Sequence, residues 1–219
     1  MIRMRILVIG ATGTVGGAVA SALSVRHEVV RASRHGAVSV DITDEASIDG
    51  LYDAVGACDA VVSCAGQARR GAFDQLSIDD WRATFTNKVL AGINVVRLGL
   101  RHVRDGGSFT LTAGAYSQRP VPGVPALAMA NGALESFARA AALDLPRGIR
   151  INVVSPPLLK ETAARMNIDM PFTAIENAEA YVRLVEGSDT GLVVYPEMEA
   201  RVRSSSVGEA KREAGSLHP

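Results

Sequence analysis

The chain predicts an α/β fold: a single domain built on a doubly wound parallel sheet with helices on both faces. Three observations carry this. Short apolar runs alternate with amphipathic segments along most of the chain, the order that produces right-handed strand–helix–strand crossovers. Three glycines, Gly10, Gly13 and Gly16, stand directly after the first apolar run. With 219 residues, 47% of them hydrophobic, the chain can bury the core of one moderately large domain.

Ile6 to Ile9 is the first strand, and the Ala-rich segment ending at Val25 is the first helix. Glu28 to Ala32 and Val38 to Val40 are the next strands. A helix from Asp44 to Val55 leads into a fourth strand, Asp59 to Ser63. Leu76 to Leu100 has helical spacing around Trp81, Phe85, Val89, Val96 and Leu100, although Gly92 and Gly99 weaken it. Gly106 and Gly107 punctuate the entry to a strand at Ser108 to Thr112. A helix then runs from Ala126 to Leu145 and stops at Pro146, and a strand from Ile149 to Val154 stops before Pro156 and Pro157. A helix near Ala174 to Val185 and a strand at Gly191 to Tyr195 follow. The domain is expected to span residues 1–203, with 204–219 as a loose polar tail.

Composition removes several function classes. Lys plus Arg and Asp plus Glu each total 23, so no broad basic surface argues for nucleic acid or an anionic membrane. No apolar run approaches the roughly 18 residues of a membrane span, and cytoplasm is the expected location. Cys58 and Cys64 lie close together without metal-like spacing, which suits buried free thiols.

The glycine turn is the strongest functional signal. At a strand-to-helix junction one glycine tolerates unusual torsions, one lets a pyrophosphate approach and one lets helix and strand pack. Thr12, Thr14 and Val15 fill the turn, and amides at the helix start are free to hold phosphate. The turn is read as a Rossmann-like dinucleotide pocket, with a glycine-rich connection that holds no ligand as the alternative. The second strand ends at Ser33 and Arg34, where an acidic residue would hold the two ribose hydroxyls of NAD. Arg34 with Ser33 suits the 2′-phosphate of NADP, with solvation of Arg34 as the alternative. Asp41, followed by Ile42, either contacts adenine or caps the next helix. Cys64, Ala65 and Gly66 are small enough for close cofactor approach after the fourth strand. Asn87 and Lys88 either reach the cleft or face solvent and backbone.

The turn from Gly10 to Gly16, the Cys64–Gly66 run and the segment from Arg147 to Pro156 resemble the short-chain dehydrogenase/reductase family over about residues 6 to 160. The resemblance implies NADP or NAD in an extended groove, a small-molecule substrate and a homodimer or homotetramer. It also implies a cofactor role for Asn131 and Pro156. The usual chemistry of that family pairs a Tyr proton donor with a Lys one helical turn later, supported by a Ser and an Asn. Here the Tyr position holds Leu127 and the Lys position Asn131; the Ser falls near Ala113 and Gly114, and the Asn at Lys88. The catalytic candidates are therefore Lys88 as a replacement cation, Thr112 as a displaced hydroxyl and Tyr116 as a displaced proton donor, with Tyr116 in a packing role as the alternative. Two functions follow: a divergent NADP-dependent oxidoreductase, or a catalytically silent NADP-binding sensor or scaffold.

Overall fold

The computed structural model describes residues 2–196. Seven strands form one parallel sheet in the order β3-β2-β1-β4-β5-β6-β7. They are β1 Arg5–Ile9, β2 Glu28–Ser33, β3 Val38–Ser39, β4 Cys58–Ser63, β5 Val103–Thr112, β6 Arg150–Val154 and β7 Val193–Val194. The helices are α1 Thr14–Ser24, α2 Glu45–Val55, α3 Ile78–Thr84, α4 Ala91–Gly99, α5 Pro125–Asp144, α6 Lys160–Ala164 and α7 Ala174–Glu186. The expected Rossmann-like, doubly wound architecture is the one observed. The expected tail at 204–219 lies outside the described residues.

Both faces of the sheet are buried because the side-chain period of a strand is two. On β1, Leu7 and Ile9 point into a core shared with Leu51 and Tyr52 of α2, Val95 of α4 and Leu134 of α5. Ile6 and Val8 point the other way, onto Val19 and Leu23 of α1 and Tyr181 and Leu184 of α7. The strand order reverses between β1 and β4, which opens a crevice at the carboxyl edge of the sheet.

Local chemistry sets the helix starts. The Asp44 side chain accepts from the Ala46 amide at 3.0 Å and starts α2. Ser77 with Asp80 and Thr173 with Glu176 form capping boxes on α3 and α7.

Three differences from the sequence reading matter. The helical segment expected from Leu76 to Leu100 is divided into α3, a π-helical turn at Phe85–Leu90 and then α4. β5 begins at Val103, because Gly107 leaves room for strand backbone: a Cβ there would lie 2.6 Å from the Asp59 carbonyl oxygen. A short α6 follows β6, where no helix was expected. None of the described helices is long and apolar enough to cross a membrane.

Candidate functional site

The crevice at the strand reversal is a cleft of about 620 Å³. Gly10, Thr12 and Gly13 line it from β1, Ser33 and Arg34 from β2, Asp41 and Ile42 from the segment after β3, and Cys64, Ala65 and Gly66 from β4. The structure thus brings these ten expected cofactor positions to one surface. His35, Val40, Thr43, Gln67 and Asn87 also line it. The first four were not singled out from sequence; their only signal is adjacency to strand ends.

Backbone packing shapes the floor. Gly10 has φ +84°, and a Cβ on it would lie 2.9 Å from the Ala65 nitrogen. The amides of Gly10 and Ala11 donate to the Ala32 carbonyl at 2.8 and 3.1 Å, which ties the turn to β2. A Cβ on Gly16 would sit 2.2 Å from the Gly10 carbonyl oxygen, so its role is helix-to-strand contact. Thr14 and Val15 belong to the first turn of α1, not to the loop before it. That helix start has no side-chain cap and no acidic residue in its first turn, so its positive end is left to an anion.

At the adenosine end, Ser33 Oγ is buried without a hydrogen-bond partner among the described residues. Arg34 stands 3.9 Å from Asp41 in a half-exposed pair. Asp41 accepts from the amide and hydroxyl of Thr43 at 2.9 and 2.7 Å, bonds that hold its carboxyl below the usual value. The helix cap considered for Asp41 is therefore Asp44 instead, and Asp41 faces the cleft. An orphaned hydroxyl beside an arginine, with a backbone cradle that no Cβ could share, suits a phosphorylated dinucleotide.

Next to the cleft, β5, α5 and the π-helical turn bring Lys88, Thr112 and Asn131 together. Lys88 is only 8% exposed. Its ammonium lies 3.5 and 3.4 Å from the carbonyls of Thr112 and Ala113, and burial pulls its pKa down to about 8. Its stem runs behind Gly66: a Cβ there would lie 3.3 Å from Lys88 Cγ, so only backbone separates lysine and cleft. Asn131 is 0% exposed, and neither amide atom has a partner among the described residues. It packs against Gly114, where a Cβ would lie 2.8 Å from Nδ2. Lys88 and Asn131 therefore flank one segment, Thr112 to Gly114.

The remaining candidates do not converge there. The Thr112 hydroxyl donates to the Ser63 carbonyl and meets the Tyr181 phenol, both at 2.8 Å. The hydroxyl is thus engaged by β4 and α7, and what Thr112 offers Lys88 is its carbonyl. Tyr116 lies in a 3-10 turn at Ala115–Ser117, its ring under the Arg70 guanidinium at 5.4 Å. The Pro156 carbonyl accepts from the Ala115 amide at 2.9 Å and so ties the loop after β6 to that turn. Cys64 has its pKa pushed up to about 12 by burial, which keeps it a neutral wall rather than a nucleophile.

One polar cluster was missed from sequence. Glu135 is 2% exposed and accepts from Ser117 at 2.6 Å, Ser155 at 2.7 Å and Tyr195 at 3.0 Å. It clasps the segments after β5, β6 and β7 to α5. Its signal in the sequence is a carboxylate one helical turn past Asn131, on the face carrying Leu134 and Ala138.

A family model described as enoyl-(acyl carrier protein) reductase matches residues 16–194. The chain belongs to the short-chain dehydrogenase/reductase superfamily. Several solved structures align with the chain over nearly their whole length. The protein lin1944 from Listeria innocua is 41% identical with a TM-score of 0.85, covering 88% of this chain and 98% of that one. A small-chain dehydrogenase in complex with NADPH is 28% identical with a TM-score of 0.79, covering 89% and 96%. A short chain dehydrogenase from Burkholderia cenocepacia J2315 in complex with NADP is 26% identical with a TM-score of 0.75, covering 87% and 95%. Curated relatives match over less. An Escherichia coli 2,3-dihydro-2,3-dihydroxybenzoate dehydrogenase is 38% identical over 45% of this chain and 41% of that protein. An Escherichia coli cyclic-di-GMP-binding biofilm dispersal mediator protein is 35% identical over 57% and 54%. The chain thus spans about half the length of these curated relatives.

Proposed function

We propose that this superfamily member is an NADP(H)-dependent oxidoreductase acting on a small carbonyl or hydroxyl compound. The observation that carries the reading is the cleft. It gathers the glycine turn, the orphaned Ser33 hydroxyl and Arg34, and its Gly66 and Asn87 edge borders Lys88. Two structural relatives named as complexes with NADPH and NADP support the choice of cofactor.

In this reading Gly10, Thr12, Gly13, Thr14, Val15 and Gly16 hold the pyrophosphate through backbone and helix start, and Ser33 and Arg34 hold the 2′-phosphate. Asp41 and Ile42 border adenine, while Cys64, Ala65 and Gly66 form the wall against ribose. Asn131 offers its unpartnered amide to the nicotinamide ribose, and Pro156 borders the same end. The cofactor supplies hydride. Lys88 is buried with its stem against Gly66 of the cleft wall and its ammonium on the carbonyls of Thr112 and Ala113. Tyr116 stands on the turn beyond.

The test is a fluorescence titration with NADPH and NADH, followed by NADPH oxidation against a panel of ketones, aldehydes and quinones. The reading expects NADPH to bind more tightly than NADH and at least one panel member to be reduced stoichiometrically. Saturable NADPH binding with no turnover across the panel would remove the enzyme reading.

A second reading is a catalytically silent NADP-binding sensor or scaffold. Leu127 and Asn131 favour it, as does the similarity to a relative whose name describes nucleotide binding and not turnover. It expects NADP to change the oligomeric state or the capture of a protein partner.

A further inference from the structure

Lys88 is a cation buried without an anion among the described residues. Among the described residues no carboxylate pairs with it, and burial alone lowers its pKa. Its two carbonyl contacts are long for hydrogen bonds, at 3.4 and 3.5 Å. The π-helical turn that carries it packs against α3, α4 and α5. The charged groups on those helices are engaged or turned outward. Asp79 pairs with Arg82, Asp80 with Ser77 and Arg69, and Arg97 with Glu45. Glu135 is taken by three hydroxyls, and Arg139 and Asp144 are exposed. At the strand ends, Cys64 and Tyr181 are held neutral by burial.

An unpaired buried ammonium beside a glycine-floored cleft is unfavourable for the fold. Its position suits chemistry. Carbonyl reduction needs one hydride and one proton, and no phenol stands at position 127 to give the proton.

Resting on the oxidoreductase reading above, we infer that Lys88 is the acid of this site: its ammonium gives a proton to the substrate oxygen as hydride reaches the adjoining carbon. The N–H bond breaks and an O–H bond forms. The carbonyl compound is reduced to an alcohol, NADPH is oxidised to NADP, and the neutral amine regains a proton from water. In the reverse direction the neutral amine accepts the hydroxyl proton. An amine titrating near neutrality serves both directions. The lysine stem packs against Gly66 at the cleft wall, where a Cβ would lie 3.3 Å from its Cγ.

The experiment has two readouts on the full chain. Acetic anhydride labels amines only when neutral, and mass spectrometry of the peptides compares Lys88 with exposed Lys160 across the neutral-to-alkaline range. Lys88 is expected to titrate well below Lys160, and NADPH is expected to slow its labelling by about fivefold or more. The second readout is NADPH affinity and turnover on the carbonyl panel. Lys88→Met is expected to keep NADPH affinity within about threefold and lose about 100-fold or more in kcat. Lys88→Arg is expected to bind NADPH without restoring turnover, because a guanidinium does not release its proton in this range.

Co-titration of Lys88 with Lys160 would overturn the inference. So would Lys88→Met turnover within about threefold of wild type, which leaves the oxidoreductase reading standing. A loss of NADPH affinity that matches the loss of turnover would reduce Lys88 to a cofactor anchor. Wild-type protein that binds NADPH and reduces nothing would overturn inference and reading together.

Discussion

At the ends of β1, β2 and β4 the backbone makes the site; at the ends of β5 and β6 side chains must make it. The first region depends on glycine torsions, strand-end amides and one helix start, all fixed by chain path. The second depends on which functional group stands at positions 88, 127 and 131. A fold can therefore keep its dinucleotide cleft while its proton chemistry moves or disappears. Separate variants should act on the two regions separately.

The largest expected effect is in the cofactor region. Gly16→Val would push its side chain into the Gly10 carbonyl, and backbone cannot move aside as a side-chain tip can. A loss of about 3 kcal/mol is expected in urea unfolding, together with loss of NADPH binding. Unchanged stability would show that α1 does not need this contact.

The next effect belongs to Lys88 and depends on pH. Its folded pKa of about 8 lies below the ordinary value of 10.5, so between the two the unfolded chain holds more protons than the folded one. Stability must then rise with pH through this window. Wild type is expected to gain about 3 kcal/mol on Lys88→Met as pH passes from below the folded pKa to above the ordinary one. Parallel curves for the two proteins would mean that the amine is not desolvated.

Arg34→Gln should be smaller and confined to the cofactor. Its side chain is half exposed, so stability is expected to stay within about 0.5 kcal/mol. NADPH affinity is expected to fall about tenfold while NADH affinity holds, which removes the preference. Equal losses for both cofactors would place Arg34 outside the 2′-phosphate site.

Asn131→Ala is the subtlest. Removing a buried amide with no partner among the described residues relieves desolvation but opens a small void, so stability is expected to move by less than about 1 kcal/mol. NADPH affinity should nevertheless drop, and a thermal shift assay with and without NADPH separates the two effects. A large loss of stability without NADPH would show that the amide already serves the fold.

What was legible in the sequence follows the same division. Gly10, Gly13 and Gly16 announce themselves because their demand is local: a strand, a turn and a helix within one short stretch. Ser33, Arg34 and Cys64 follow because they end strands whose apolar runs are plain. Lys88 was legible as a residue type but not as a buried one, since its contacts are carbonyls far along the chain on β5 and just beyond it. The engagement of the Thr112 hydroxyl was hidden for the same reason, its partner Tyr181 lying on the distant α7. Glu135 was missed because its three donors come from separate loops that only the folded sheet brings together. The π-helical turn left no sign in the periodicity, and Gly92, which seemed a weak point, instead lets Leu134 of α5 approach.

A high-resolution structure of the NADPH complex tests the central claim most directly. The account predicts pyrophosphate on the Gly10–Thr14 turn, the 2′-phosphate against Ser33 and Arg34, and the Lys88 ammonium within hydrogen-bond reach of the reaction end of the bound cofactor. A complex in which Lys88 stays on the Thr112 and Ala113 carbonyls, away from that end, with Tyr116 or another donor in its place, would contradict it.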